Sequence, residues 1–151
     1  MRIEVEQSIR IDNTQKDTVL AFSNEISKAV RIPAQVKRKC LKILRNKGIG
    51  KKDVYLKLFA AALFILIKND LDKINAIAID TEFSDRQNQQ FIRITLCKHL
   101  QKAGSNLSLD DINFKRIGKK SKAHQKAYNT HQGRTAADYK VKARELLELV
   151  Q

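Results

Sequence analysis

The chain reads as an α/β protein built on one mixed five-stranded sheet with helices on both faces. Three observations predict this. Residues 2–11 alternate with a period of two, and two further short strand-like runs follow across polar turns. Ile77-Ala78-Ile79 is a wholly apolar run that ends in Asp80, the pattern of a central strand covered on both sides. From Pro33 onward, segments of helical spacing are interleaved with strand-like ones, as crossover connections require.

The elements follow in order. In the first strand Ile3, Val5, Gln7, Ile9 and Ile11 lie on one side; Arg2, Glu4, Glu6, Ser8 and Arg10 lie on the other. The polar stretch from Asp12 to Asp17 turns the chain into a second strand, residues 18–23, and Ala29 to Ile32 forms a third. Pro33 suits the first turn of a helix that runs to Gly48. A second helix spans about Lys52 to Lys68; it is apolar nearly all round, so it should be buried, and Ala60-Ala61-Ala62 lets it approach the sheet closely. Residues 74–80 form strand four and residues 87–102 a helix ended by Gly104. Residues 112–117 form strand five, residues 121–130 a helix, and Thr135 caps a last helix over 136–150. One domain of 151 residues accounts for the whole chain.

Composition narrows the function. Thirty Lys plus Arg against 16 Asp plus Glu give a formal net charge of +14, which points to a polyanionic partner, most simply nucleic acid. A protein partner is the alternative. Cys40 and Cys97 are too isolated for a zinc site or a disulfide framework, so they read as reduced core residues, as in a cytoplasmic protein. Residues 1–6 contain no apolar leader-like run, and the longest apolar run, Phe59 to Ile67, is too short to cross a membrane.

Two blocks concentrate the positive charge. Lys37, Arg38, Lys39, Lys42, Arg45, Lys47, Lys51 and Lys52 meet no acid between residues 34 and 52. The second block runs from Lys115 to Arg144 and faces only Asp138. Within it, Gly118-Lys119-Lys120-Ser121 leads into a helix that begins near Lys122, where free backbone N–H groups would seat a phosphate. His124 stands between Lys122 and Lys126 and would be solvated or phosphate-facing; Arg134 adds charge past the helix. Gly48-Ile49-Gly50-Lys51-Lys52 lacks the spacing of a nucleotide-binding loop. Tyr128 and Tyr139 could stack on bases, but nothing in the sequence marks an exposed aromatic platform. The expected partner is therefore a duplex, hybrid or junction rather than a single strand.

Against that basic background the acids Asp80, Glu82 and Asp85 are conspicuous. A carboxylate at the C-terminal end of a sheet strand lies where open α/β sheets bind ligands, and local acid beside a polyanion suggests a bound cation.

The order of a three-stranded meander, then strand four, helix, strand five and helix, resembles the ribonuclease H-like superfamily, with an extra helix before strand four. The resemblance implies a metal-dependent nuclease with one acid on the first strand, one at the end of the fourth and one on the last helix. Those positions here are Glu6, Asp80 and Asp138, with Glu82 or Asp85 as a further ligand. It implies two magnesium or manganese ions roughly 4 Å apart that activate water and stabilise the phosphorane. Two features depart from the family pattern: the first-strand acid is Glu6 rather than Asp, and the first helix carries no acid. Asp138 has a competing use, since Thr135-x-x-Asp138 is also a weak capping box. A non-catalytic nucleic-acid-binding module on the same fold is the alternative function.

Overall fold

The computed structural model describes residues 1–81 and 85–150. Six strands form one sheet: β1 (Arg2–Ser8), β2 (Thr18–Ser23), β3 (Ser27–Ile32), β4 (Ala76–Asp80), β5 (Ile112–Lys115) and β6 (Tyr139–Lys140). Their order across the sheet is β5-β4-β1-β2-β3-β6. The meander β1-β2-β3 is antiparallel, while β4 joins β1, β5 joins β4 and β6 joins β3 in parallel. The α/β class and the mixed sheet are thus as expected, but the strand count is six rather than five.

Among the described residues five α-helices accompany the sheet: α1 (Ala34–Asn46), α2 (Lys51–Ile67), α3 (Arg86–Lys102), α4 (Lys122–His131) and α5 (Ala143–Val150). The alternation in the strands sorts them onto two faces. Ile3, Val5, Leu20, Phe22, Val30, Ile32, Ile77 and Ile79 point into the main core with α2. That helix is buried from Val54 to Ile67 apart from Lys57 and Phe64, because α1, α3 and α5 surround it on its other sides. Its Ala60, Ala61 and Ala62 are fully buried. On the opposite face Val19, Ala21 and Ala29 meet Ala127 of α4, which crosses β1, β2 and β3. Small side chains there let α4 lie close to the strands.

Two departures have local causes. β1 ends at Ser8, not Ile11, because Ile9 adopts φ 66°, a left-handed backbone that no strand continues through and that a β-branched residue rarely takes. The last helix begins at Ala143, not Ala136, because residues 138–141 are held to β3 as an edge strand. Asp138 N donates to Ala29 O (2.8 Å) and Val141 N to Arg31 O (2.8 Å). Thr135 therefore caps no helix; its hydroxyl meets that of Thr130 at 3.1 Å. Cys40 and Cys97 are free and buried, and no helix among the described residues is long and apolar enough to cross a membrane.

Candidate nucleic-acid interface

The centre of interest is the α4 side of the sheet at the C-terminal ends of its parallel strands. β1 and β4 run in register with Val5 opposite Ile79, so Glu6 and Asp80 are the next residues on neighbouring strands and face the same side. Asp80 in turn pairs with Lys115 of β5. Glu6 also pairs with Ala21, which places it on the α4 face. Glu6 is only 4% exposed. One of its oxygens accepts from Gln7 N at 3.1 Å and the other lies 3.7 Å from His124 Nδ1 on α4. One Asp80 oxygen accepts from Ile117 N at 2.8 Å, which ties the chain leaving β5 to the end of β4. Glu4, one step back on the same face, pairs with Lys115 Nζ at 2.9 Å. The alternation of β1 carried the signal for Glu4, since it already placed Glu4 beside Glu6.

The basic loop comes next. Ile117 is buried, and Gly118, Lys119 and Lys120 after it are exposed. Ser121 N closes a turn onto Gly118 O at 3.0 Å, and Ser121 Oγ accepts from His124 N at 3.0 Å as the N-cap of α4. The Ser121 hydroxyl oxygen is therefore engaged in capping its own helix. Lys122 is exposed, and its neighbour His124 is two-thirds buried against Glu6 rather than fully solvated. Arg134 is exposed at the far end of α4, bonded to Asn129 Oδ1 at 3.2 Å with its guanidinium 5.5 Å from the Tyr128 ring centre.

Several predicted site residues lie elsewhere. Asp138 is on no helix and not near Glu6 or Asp80. It sits beside β6 at the opposite edge of the sheet, with β1, β2 and β3 between it and β4, and its Oδ2 accepts from Ala29 N at 2.7 Å. Asp85 is the N-cap of α3, its Oδ1 accepting from Gln87 N (2.7 Å) and Asn88 N (3.3 Å), so that oxygen is engaged by the start of its own helix. Glu82 lies outside the described residues. Among those residues no group of three His, Cys, Asp or Glu side chains could hold a metal ion. The described residues alone do not assemble the three-carboxylate, two-metal centre.

The first basic block is also redistributed. Lys37 is fully buried. Its Nζ donates to Asn13 O and to Thr18 Oγ1 (2.8 Å), and burial pulls its pKa down from 10.5 to about 8. It holds α1 to the β1–β2 turn and is not available to nucleic acid. Arg38 is exposed and donates to Thr14 O at 2.6 Å. α1 packs on α2 and α5, in the helical layer on the other side of the sheet from α4. The two blocks therefore do not merge into one basic surface.

What remains on the α4 side is a small, partly buried acidic pair bordered by cations. Among the described residues the ion pairs engage Arg10, Lys28, Arg31, Lys115, His124 and Arg144. Arg116, Lys119, Lys120, Lys122 and Lys126 form none with described residues. Set against family models, characterised proteins and solved structures, the chain finds no match.

Proposed function

We propose that this protein binds nucleic acid through its phosphates, using the loop from Arg116 to Lys122 and the adjoining surface of α4. One observation carries the reading: a run of exposed cations, Arg116, Lys119, Lys120 and Lys122, stands without ion-pair partners among the described residues beside a helix start, in a chain of net charge +14. Such cations attract a polyanion over a distance, and each phosphate contact releases condensed counterions. Contacts of this kind set position and affinity and read no sequence.

The test is a salt titration of binding to a labelled oligonucleotide. Affinity should fall steeply with salt. The triple variant Lys119→Ala/Lys120→Ala/Lys122→Ala should bind roughly 10–100-fold more weakly, and for a duplex its log–log salt slope should be smaller by about 3. Salt-insensitive binding, or a triple variant that behaves as wild type, would overturn the reading.

A second reading, a metal-dependent nuclease of the ribonuclease H-like type, is favoured by one observation: Glu6 and Asp80 are side by side at the ends of adjacent parallel strands. The meander, followed by strands β4 and β5 with a helix between them and one after, also supports the resemblance. This reading requires cleavage in magnesium or manganese that Asp80→Asn abolishes while binding persists. Binding that ignores both metals, with no cleavage, leaves the phosphate-binding function alone.

A further inference from the structure

The polar side of α4 carries an aromatic feature that phosphate binding does not use. Tyr128 is 44% exposed, and among the described residues only Tyr139 and Ile94 join it as large apolar side chains in the open. Tyr139 is tied down on the β6 edge, where its hydroxyl bonds to Glu145. Tyr128 is arranged otherwise. It stands one helical turn after His124, and the two rings lie parallel, 11° apart in plane, with centroids 6.5 Å apart. The Arg134 guanidinium lies 5.5 Å from the ring centre. His124 links this ladder to Glu6 at 3.7 Å. Glu6, His124, Tyr128 and Arg134 thus form a continuous line along α4 that begins at the acidic pair, while Lys122 and Lys126, each two residues from His124, lie on a different side of the helix.

An exposed tyrosine beside a guanidinium and a parallel imidazole is a poor use of apolar surface in water, and a good one for a planar aromatic ligand. A nucleobase offers such a face whatever its sequence, while its own phosphate would find Arg134. A base inside a duplex has both faces stacked already and is not available. The geometry points to Tyr128 as a stacking platform for an unpaired base, so that the partner is a strand with single-stranded character beside the acidic pair. The inference rests on the phosphate-binding reading and narrows it to unpaired strands, away from the intact duplex that the scarcity of aromatics suggested.

The experiment compares an end-labelled oligothymidylate of about 15 nucleotides with a blunt duplex of the same strand length, by anisotropy at fixed low salt. Tyr128→Ala should weaken single-strand binding about tenfold and change duplex binding less than about twofold; Tyr128→Phe, which keeps the ring, should stay within about twofold on both. The chain contains no Trp and three Tyr, so tyrosine emission is a second readout. It should be quenched by the single strand, and that quenching should disappear in Tyr128→Ala. Unchanged single-strand affinity in Tyr128→Ala overturns the platform. So does an equal loss on single strand and duplex, which marks an effect on fold or general electrostatics. Absence of salt-sensitive binding to either probe overturns the phosphate-binding reading itself, a result distinct from the other two.

Discussion

The two ends of α4, which crosses β1, β2 and β3, lie toward opposite sides of the same sheet face and are built differently. At the near end Asp80 accepts from Ile117 N at 2.8 Å; at the far edge Asp138 accepts from Ala29 N at 2.7 Å. The local bond is the same, and the surroundings decide what each carboxylate does. Asp80 has Glu6 on the next strand and, just beyond, exposed cations without an ion pair among the described residues. Asp138 has backbone on both sides of its bond, because its own N–H returns to Ala29 O, and it helps fasten β6 to the edge of β3. The far end is further locked by Arg31, which donates to Thr130 O at 2.6 Å and pairs with Asp17 at 3.1 Å. One end is a closed structural joint, and the other is open to a ligand.

The largest expected effect lies on the closed side. Lys37→Ala removes a fully buried side chain and strands the carbonyl of Asn13 and the hydroxyl of Thr18. Unfolding stability should drop by about 3 kcal/mol in urea denaturation, from the cavity and the lost bonds together. The exposed neighbour Arg38→Ala should cost less than about 1 kcal/mol. Similar losses for both would mean that Lys37 does not anchor α1.

These two neighbouring basic positions show how far the sequence could be read. Helical spacing marked α1, an all-round apolar run marked α2, period two marked β1 and a continuous apolar run marked β4, because each signal is local. Glu6 and Asp80 were set together by the resemblance, which places acids on the first strand and at the end of the fourth. Lys37 was misread as surface by its charge, although Ala34, Lys37, Cys40 and Leu44 form one buried helical stripe. Spacing carried the answer there, and residue type obscured it. Asp138 was different in kind. Two residues of edge strand have no periodicity, and only the distant backbone of β3 reveals them. The exposure of Tyr128 was hidden for a related reason, since which side of α4 faces the sheet depends on Ala123 and Ala127 being buried.

The next effect separates the two aspartates directly. Asp138→Ala should lower stability by about 1–2 kcal/mol, as loss of a charge-assisted bond to a backbone N–H at a partly exposed site, and leave nucleic-acid affinity unchanged. Asp80→Asn keeps an acceptor for Ile117 N but removes a negative charge beside the cations. It should leave stability within about 0.5 kcal/mol of wild type and tighten binding roughly two- to fivefold. If Asp138→Ala weakened binding as well, the far edge would belong to the interface, and the division between the two ends would fail.

The smallest effect is one of pH. His131 lies at the far end of α4, where burial, then Arg31, with lesser help from Lys16 and Lys37, holds its pKa below the ordinary 6.5 against an opposing pull from Asp17. His99, in α3, is held down by burial and then by Lys102. Both rings have a buried nitrogen without a hydrogen-bond partner among the described residues. For such groups the unfolded chain takes up protons first as pH falls, so stability declines below about pH 6.5 and is fully present above it. Between pH 7 and 5.5 stability in urea denaturation should therefore fall, before the carboxylates begin to titrate. His99→Leu should make that decline shallower. A flat profile over this interval would mean that both rings gain protons as readily folded as unfolded, and that the closed end of α4 is more hydrated than its packing implies.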